Sequence, residues 1–69
     1  MEDIEVGPAG IRLGQLLKLA NIAETGGDAK LLLAEGLVQV NGEVDTRRGA
    51  QLSPGDVVTV GDDVELRLT

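Results

Sequence analysis

Residues Ile11 to Gly55 read IRLGQLLKLANIAETGGDAKLLLAEGLVQVNGEVDTRRGAQLSPG and hold five of the chain's six Lys and Arg residues. Leu13, Leu16, Leu17 and Ala20 recur at helical spacing, and Thr25-Gly26-Gly27-Asp28 opens a second apolar run from Ala29 to Ala34, which predicts two abutting helices. Gly36 then stops the second helix and Leu37-Val38-Gln39-Val40 alternates as a strand. Asn41-Gly42 supplies two residues that tolerate positive φ, the requirement of a type I′ hairpin.

The first helix is predicted over Ile11–Asn21. Gly14 inside it costs about 1 kcal/mol relative to Ala and leaves room for another element to pack closely. Arg12 and Lys18 stand six residues apart, which on a regular helix leaves them about 120° out of line. A narrow stripe of one helix cannot present both, whereas a broad surface can. Thr25 is placed to cap the second helix through its hydroxyl, with the shorter Asp28 at the position where a capping-box Glu would reach back.

Outward from this stretch the chain reads as strands and turns. Met1 to Val6 alternates as a short edge strand before the turn cluster Gly7-Pro8-Ala9-Gly10. Beyond Glu43-Val44 come a loop from Asp45 to Ala50 and strands at Val57–Val60 and Val64–Leu68, separated by turns at Ser53-Pro54-Gly55-Asp56 and Gly61-Asp62-Asp63. In the last strand Val64, Leu66 and Leu68 point one way and Glu65, Arg67 and Thr69 the other, the pattern of a sheet that covers a core on one face only. The expectation is a single α+β domain over residues 1–69: two or three short helices packed on a small, mostly antiparallel sheet of four to five strands.

Composition narrows the function. A chain of 69 residues buries only about 60% of the surface exposed on unfolding, and with no Cys and no aromatic residue it must pack on Leu, Val, Ile and Ala. The absence of His, Cys and Tyr removes the usual general bases, the nucleophilic thiol and the imidazole metal ligand, so no enzyme, cofactor or metal site is expected. Asp62, Asp63 and Glu65 lack the spaced ligands of a calcium loop and read as a solvated turn. Gly26-Gly27 lacks the residues of a phosphate-binding loop and reads as a helix entry. With an acidic opening and no long apolar run, a cytoplasmic location is expected.

The net charge is −6, from 12 acids against 6 bases, which opposes nucleic-acid binding if it is spread evenly. It is not spread evenly. Ile11 to Gly55 holds five acids (Glu24, Asp28, Glu35, Glu43, Asp45) and five bases (Arg12, Lys18, Lys30, Arg47, Arg48), leaving seven acids and Arg67 for the remainder. A fold that gathers those cations makes a basic face and an acidic back. Arg47-Arg48 offers planar forks for phosphate or for stacking on a base, the alternative being pairing with nearby Glu43 or Asp45. Lys30 falls one turn into the second helix, beside the glycines, and reads as either a phosphate contact or a solvated lysine.

The order Arg12-Leu13, Leu16-Leu17, Gly26, Ala29-Lys30, Glu35-Gly36, Val38-Gln39-Val40-Asn41-Gly42, Thr46-Arg47-Arg48 and Pro54-Gly55-Asp56 resembles the S-four RNA-binding domain, in its small single-domain form. The likeness spans roughly two thirds of the chain and rests on the order of several short features. It implies the compact αL-type RNA-binding fold, with a motif core over 11–55 and closing strands over 57–68. It also implies basic residues in the loop at Arg47-Arg48 and a role with structured RNA, ribosomal RNA and ribosomal proteins being the partners it points to. The chain departs from many members in having Gly14 where they carry an acid and in lacking a Ser-Arg pair near Thr25-Gly26.

The function expected is therefore recognition of structured RNA by a monomer, through phosphate contacts from Arg12, Lys18, Lys30, Arg47 and Arg48. With no aromatic residue, base stacking is not available, and the shape and phosphates of helical RNA remain. Two alternatives come from other classes. The hairpin and the Pro54-Gly55-Asp56 turn are also similar to sulfur-carrier β-grasp proteins, whose chemistry needs a terminal pair of glycines where this sequence reads Arg67-Leu68-Thr69. An acidic interaction module for basic proteins is the other.

Overall fold

The computed structural model describes all residues, Met1–Thr69. Strand β1 (Glu2–Ile4) leads through a turn into β2 (Ile11–Arg12), which runs directly into helix α1 (Leu13–Leu19). Helix α2 (Gly26–Ala34) follows, then β3 (Val38–Val40), β4 (Glu43–Val44), β5 (Gln51–Leu52), β6 (Val57–Val60) and β7 (Val64–Leu68). The main sheet has five strands in the order β1-β7-β6-β3-β4, and β2 and β5 form a separate two-stranded ribbon. The α+β expectation is met, and the sheet is antiparallel except where β1 joins β7 in parallel along its edge.

The first helix is shorter than its periodicity predicts, and the reason lies across the chain. Leu13 and Gly14 donate their backbone N–H groups to the carbonyls of Ala50 and Arg48, both at 2.9 Å. The chain before Leu13 is thereby drawn alongside the 48–52 segment as a strand, with Ile11 opposite Leu52 and Arg12 opposite Gln51. Arg12 becomes the extended N-cap residue (φ −85°, ψ 150°), and its N–H is taken by the Gln15 Oε1 at 3.1 Å. At the far end Asn21, with φ 60°, lets Asn21 and Ile22 donate to the carbonyls of Lys18 and Leu17 at 3.1 and 3.0 Å, closing the helix two residues before the predicted Asn21.

Helix α2 starts as its sequence indicates: the Thr25 hydroxyl accepts the Asp28 N–H at 3.1 Å. The Asp28 carboxylate makes no return bond, in keeping with its being one methylene shorter than Glu. The helix ends in the corresponding way to α1, with Gly36 at φ 72° and the N–H groups of Gly36 and Leu37 on the carbonyls of Leu33 and Leu32. Asn41 and Gly42 both have positive φ, 53° and 86°, as the hairpin requires.

One apolar cluster joins the layers. Leu13, Leu16 and Leu17 from α1, Leu33 from α2, and Leu66 and Leu68 from β7 are fully buried with Val38 and Val58, each leucine contributing about 2 kcal/mol of burial. The alternation of β7 holds: Leu66 and Leu68 are buried while Glu65, Arg67 and Thr69 are exposed. Across the β1–β7 edge Arg67 pairs with Asp3 at 3.1 Å, both side chains half exposed, so the pair adds little. No helix is long and apolar enough to cross a membrane.

Candidate nucleic-acid interface

The two helices and the loop before β5 enclose an open cleft of about 370 Å³ whose lining includes Arg12, Gly14, Gln15, Lys18, Gly26 and Arg48. Arg12 reaches it from the junction of β2 and α1. Because Arg12 is extended backbone rather than a helical turn, the angular separation expected from Lys18 does not apply, and both side chains border the same space. Lys18 comes from the last turn of α1, and Arg48 from the loop that the Leu13 and Gly14 hydrogen bonds hold against the helix.

Arg48 lies directly over Gly14. A β-carbon on Gly14 would collide with Arg48 Cγ and stand 3.3 Å from Cδ and 3.2 Å from the carbonyl oxygen. Further along, Arg48 Nη1 is 3.9 Å from the place of a Gly26 β-carbon, so the arm spans from α1 to the start of α2. The room that Gly14 offers in the sequence is thus filled by this arginine.

Three of the five expected cations therefore converge: Arg12, Lys18 and Arg48. Arg47 and Lys30 do not line the cleft. Arg47 turns toward the hairpin and donates from Nε and Nη2 to the two oxygens of Asp45 at 3.2 and 3.0 Å. Its backbone N–H also bonds Asp45 Oδ1 at 2.8 Å. The side-chain bonds, and after them the backbone N–H, hold the Asp45 carboxyl below the usual carboxylate range, and the side-chain bonds and then the Asp45 charge raise Arg47 in turn. Lys30 stands on the exposed surface of α2, next to Ala29, which does face the cleft.

The electrostatics are one-sided. None of the 12 acids borders the cleft, and the molecule's two ion pairs engage only Arg47 and Arg67. Arg12, Lys18 and Arg48 are left without a carboxylate partner at one concave place in a chain of net charge −6. Gln15 is the residue that sequence reading passed over. Its amide oxygen is taken by the Arg12 N–H, which leaves the amide nitrogen as a donor on a residue that lines the cleft.

A family model described as the S4 domain matches residues 4–68. The chain is an S4 domain. Among curated proteins, this S4 domain is 54% identical over 50 residues to RlbA of Bacillus subtilis, named a probable ribosome maturation protein, covering 72% of this chain and 70% of that one. It is 41% identical over 49 residues to YbcJ of Escherichia coli, covering 71% and 70%. The solution structure of YbcJ, described as revealing an αL motif involved in RNA binding, superposes with a TM-score of 0.74 at 31% identity, over 100% of this chain and 87% of that one. The αL-type architecture expected of an S4 domain is thereby shown, and the domain match together with the RNA-binding relatives points to a non-enzymatic protein.

Proposed function

We propose that this S4 domain binds structured RNA, ribosomal RNA in the first place, as a monomer, with Arg12, Lys18 and Arg48 contacting backbone phosphates from the cleft. The observation that carries the reading is the convergence of three unpaired cations with no carboxylate among them, in a molecule otherwise dominated by acids. The names of its relatives support RNA as the ligand and the ribosome as its setting. Arg47, held by Asp45, and Lys30, outside the cleft, are left out of the contact set.

The cleft suits a phosphate backbone. Two guanidinium forks give directional donors and one ammonium gives a point charge, and a concave rim matches a curved helical strand better than a flat base. Three neutralised phosphates imply that log K falls against log salt with a slope of about −2.7, using the duplex coefficient. A set of four or five contacts would steepen it.

The test is fluorescence anisotropy with labelled ribosomal RNA fragments and a control hairpin, wild type against the Arg12→Ala/Lys18→Ala/Arg48→Ala triple variant. Salt-sensitive binding that the triple variant loses by about a hundredfold or more supports the reading. Wild-type protein that stays free at low salt sinks it, and a basic protein partner for the acidic surface then becomes the reading to pursue.

A further inference from the structure

Arg48 reaches the cleft without a carboxylate to hold it. Its placement comes from shape: the backbone carbonyl accepts the Gly14 N–H at 2.9 Å, and Cγ and Cδ occupy the volume that any side chain at position 14 would fill. An added β-carbon would meet Cγ first and force the arm aside, with the carbonyl at 3.2 Å giving by a few tenths of an ångström.

We infer that Gly14 is the positioning residue for Arg48 in RNA recognition: the bare spot on α1 lays the arginine across the cleft toward Gly26 with its guanidinium uncommitted. The inference rests on the RNA-face reading above and adds to it a determinant that carries no charge and touches no RNA. An arm already laid in place loses less rotamer freedom when it meets a phosphate, and an arginine without a carboxylate partner has no pair to break first. A helix-disfavoured glycine in α1 is explained by the same contact.

The prediction is that Gly14→Ala, at unchanged net charge, behaves as if a cation had been removed. In anisotropy titrations with a labelled ribosomal RNA fragment across salt concentrations, Gly14→Ala should weaken binding by about tenfold and reduce the salt slope by about one, as Arg48→Ala does. The double variant should bind within about twofold of Arg48→Ala alone, because the arm that the second change would displace is already gone. A purely structural role for Gly14 would instead weaken binding by the same factor in both backgrounds and leave the slope intact, and that result overturns the inference. So does wild-type affinity and slope in Gly14→Ala.

Thermal denaturation provides a readout without RNA: Gly14→Ala should lower the melting temperature more in the wild type than in the Arg48→Ala background. If Gly14→Ala does not fold alone, the double variant decides. Folding with Arg48→Ala-like binding supports the inference, and failure of the double to fold overturns it, since the backbone approach would then be what the glycine serves. The two readings fail separately. If no wild-type binding is seen, both fall; if wild type binds and Arg12→Ala and Lys18→Ala weaken it while Gly14→Ala does not, only the role of Gly14 falls.

Discussion

The Arg47 side chain is 76% exposed, yet its guanidinium donates to Asp45, whereas the next residue, Arg48, makes no ion pair and lies in the cleft. To bind phosphate, Arg47 would first have to release a carboxylate that already matches its fork, so the net gain from a phosphate is small. Single substitutions should therefore separate two residues that the sequence presents as a pair. Arg48→Ala is expected to cost about 1.5 kcal/mol of RNA affinity, the value of a charge-assisted contact, and Arg47→Ala less than about 0.5 kcal/mol. Equal losses in an anisotropy titration would show that the Asp45 pair opens on binding. Composition and spacing led to both arginines, and also to pairing with Glu43 or Asp45 as the alternative; which arginine took which part depends on a hydrogen bond from Gly14, 34 positions away in the chain, and no local pattern encodes it.

At the scale of elements, the hairpin is fixed by more than its turn type. Asn41 accepts the Val57 N–H on Oδ1 at 2.9 Å and donates from Nδ2 to Asp56 at 3.1 Å, so the β3–β4 turn is fastened to the turn that opens β6. Asn41→Ala loses both bonds and places a methyl-bearing residue at φ 53°, for an expected loss of about 2 kcal/mol in urea denaturation. Asn41→Gly keeps the backbone conformation and should lose about 1 kcal/mol. Two variants within about 0.5 kcal/mol of wild type would mean that water replaces both bonds without cost. Long leucine periods, the Thr25 cap, the Gly36 stop and the Asn41-Gly42 turn were all legible because each is a local preference satisfied within a few residues. The β2–β5 ribbon was not: its two-residue strands carry no period, and each pairs with a segment far away in the chain, Ile11 with Leu52. That one ribbon also shortened the helix and brought Arg12 to the same cleft as Lys18.

Over the whole molecule, the acids act on the cleft through distance. The Cα extents are 28 × 21 × 18 Å, so charges on opposite sides of the molecule stand about 20 Å apart. There each like-charge pair costs about 0.2 kcal/mol in unscreened water. Asp62 and Asp63 in the β6–β7 turn and Glu65 on β7 are exposed and outside the cleft. Neutralising all three as Asp62→Asn/Asp63→Asn/Glu65→Gln changes the net charge from −6 to −3, that is −6 plus 3. Against three bound phosphates this removes nine repulsive pairs, about 2 kcal/mol before screening. With a Debye length of about 30 Å at 10 mM salt, about half of that survives, so RNA affinity should rise about fivefold. At 100 mM, where the length is about 10 Å, the gain should shrink to less than twofold. Association-rate measurements at the two salt concentrations check this, since a field of this kind acts mainly on encounter. A gain that persists undiminished at high salt would mean that the closing strands touch the RNA, and no gain at low salt would mean that the acidic back does not oppose binding at all. The fivefold-to-twofold collapse is the signature of a basic cleft working against its own molecule's charge, with salt deciding how much of that charge the RNA feels.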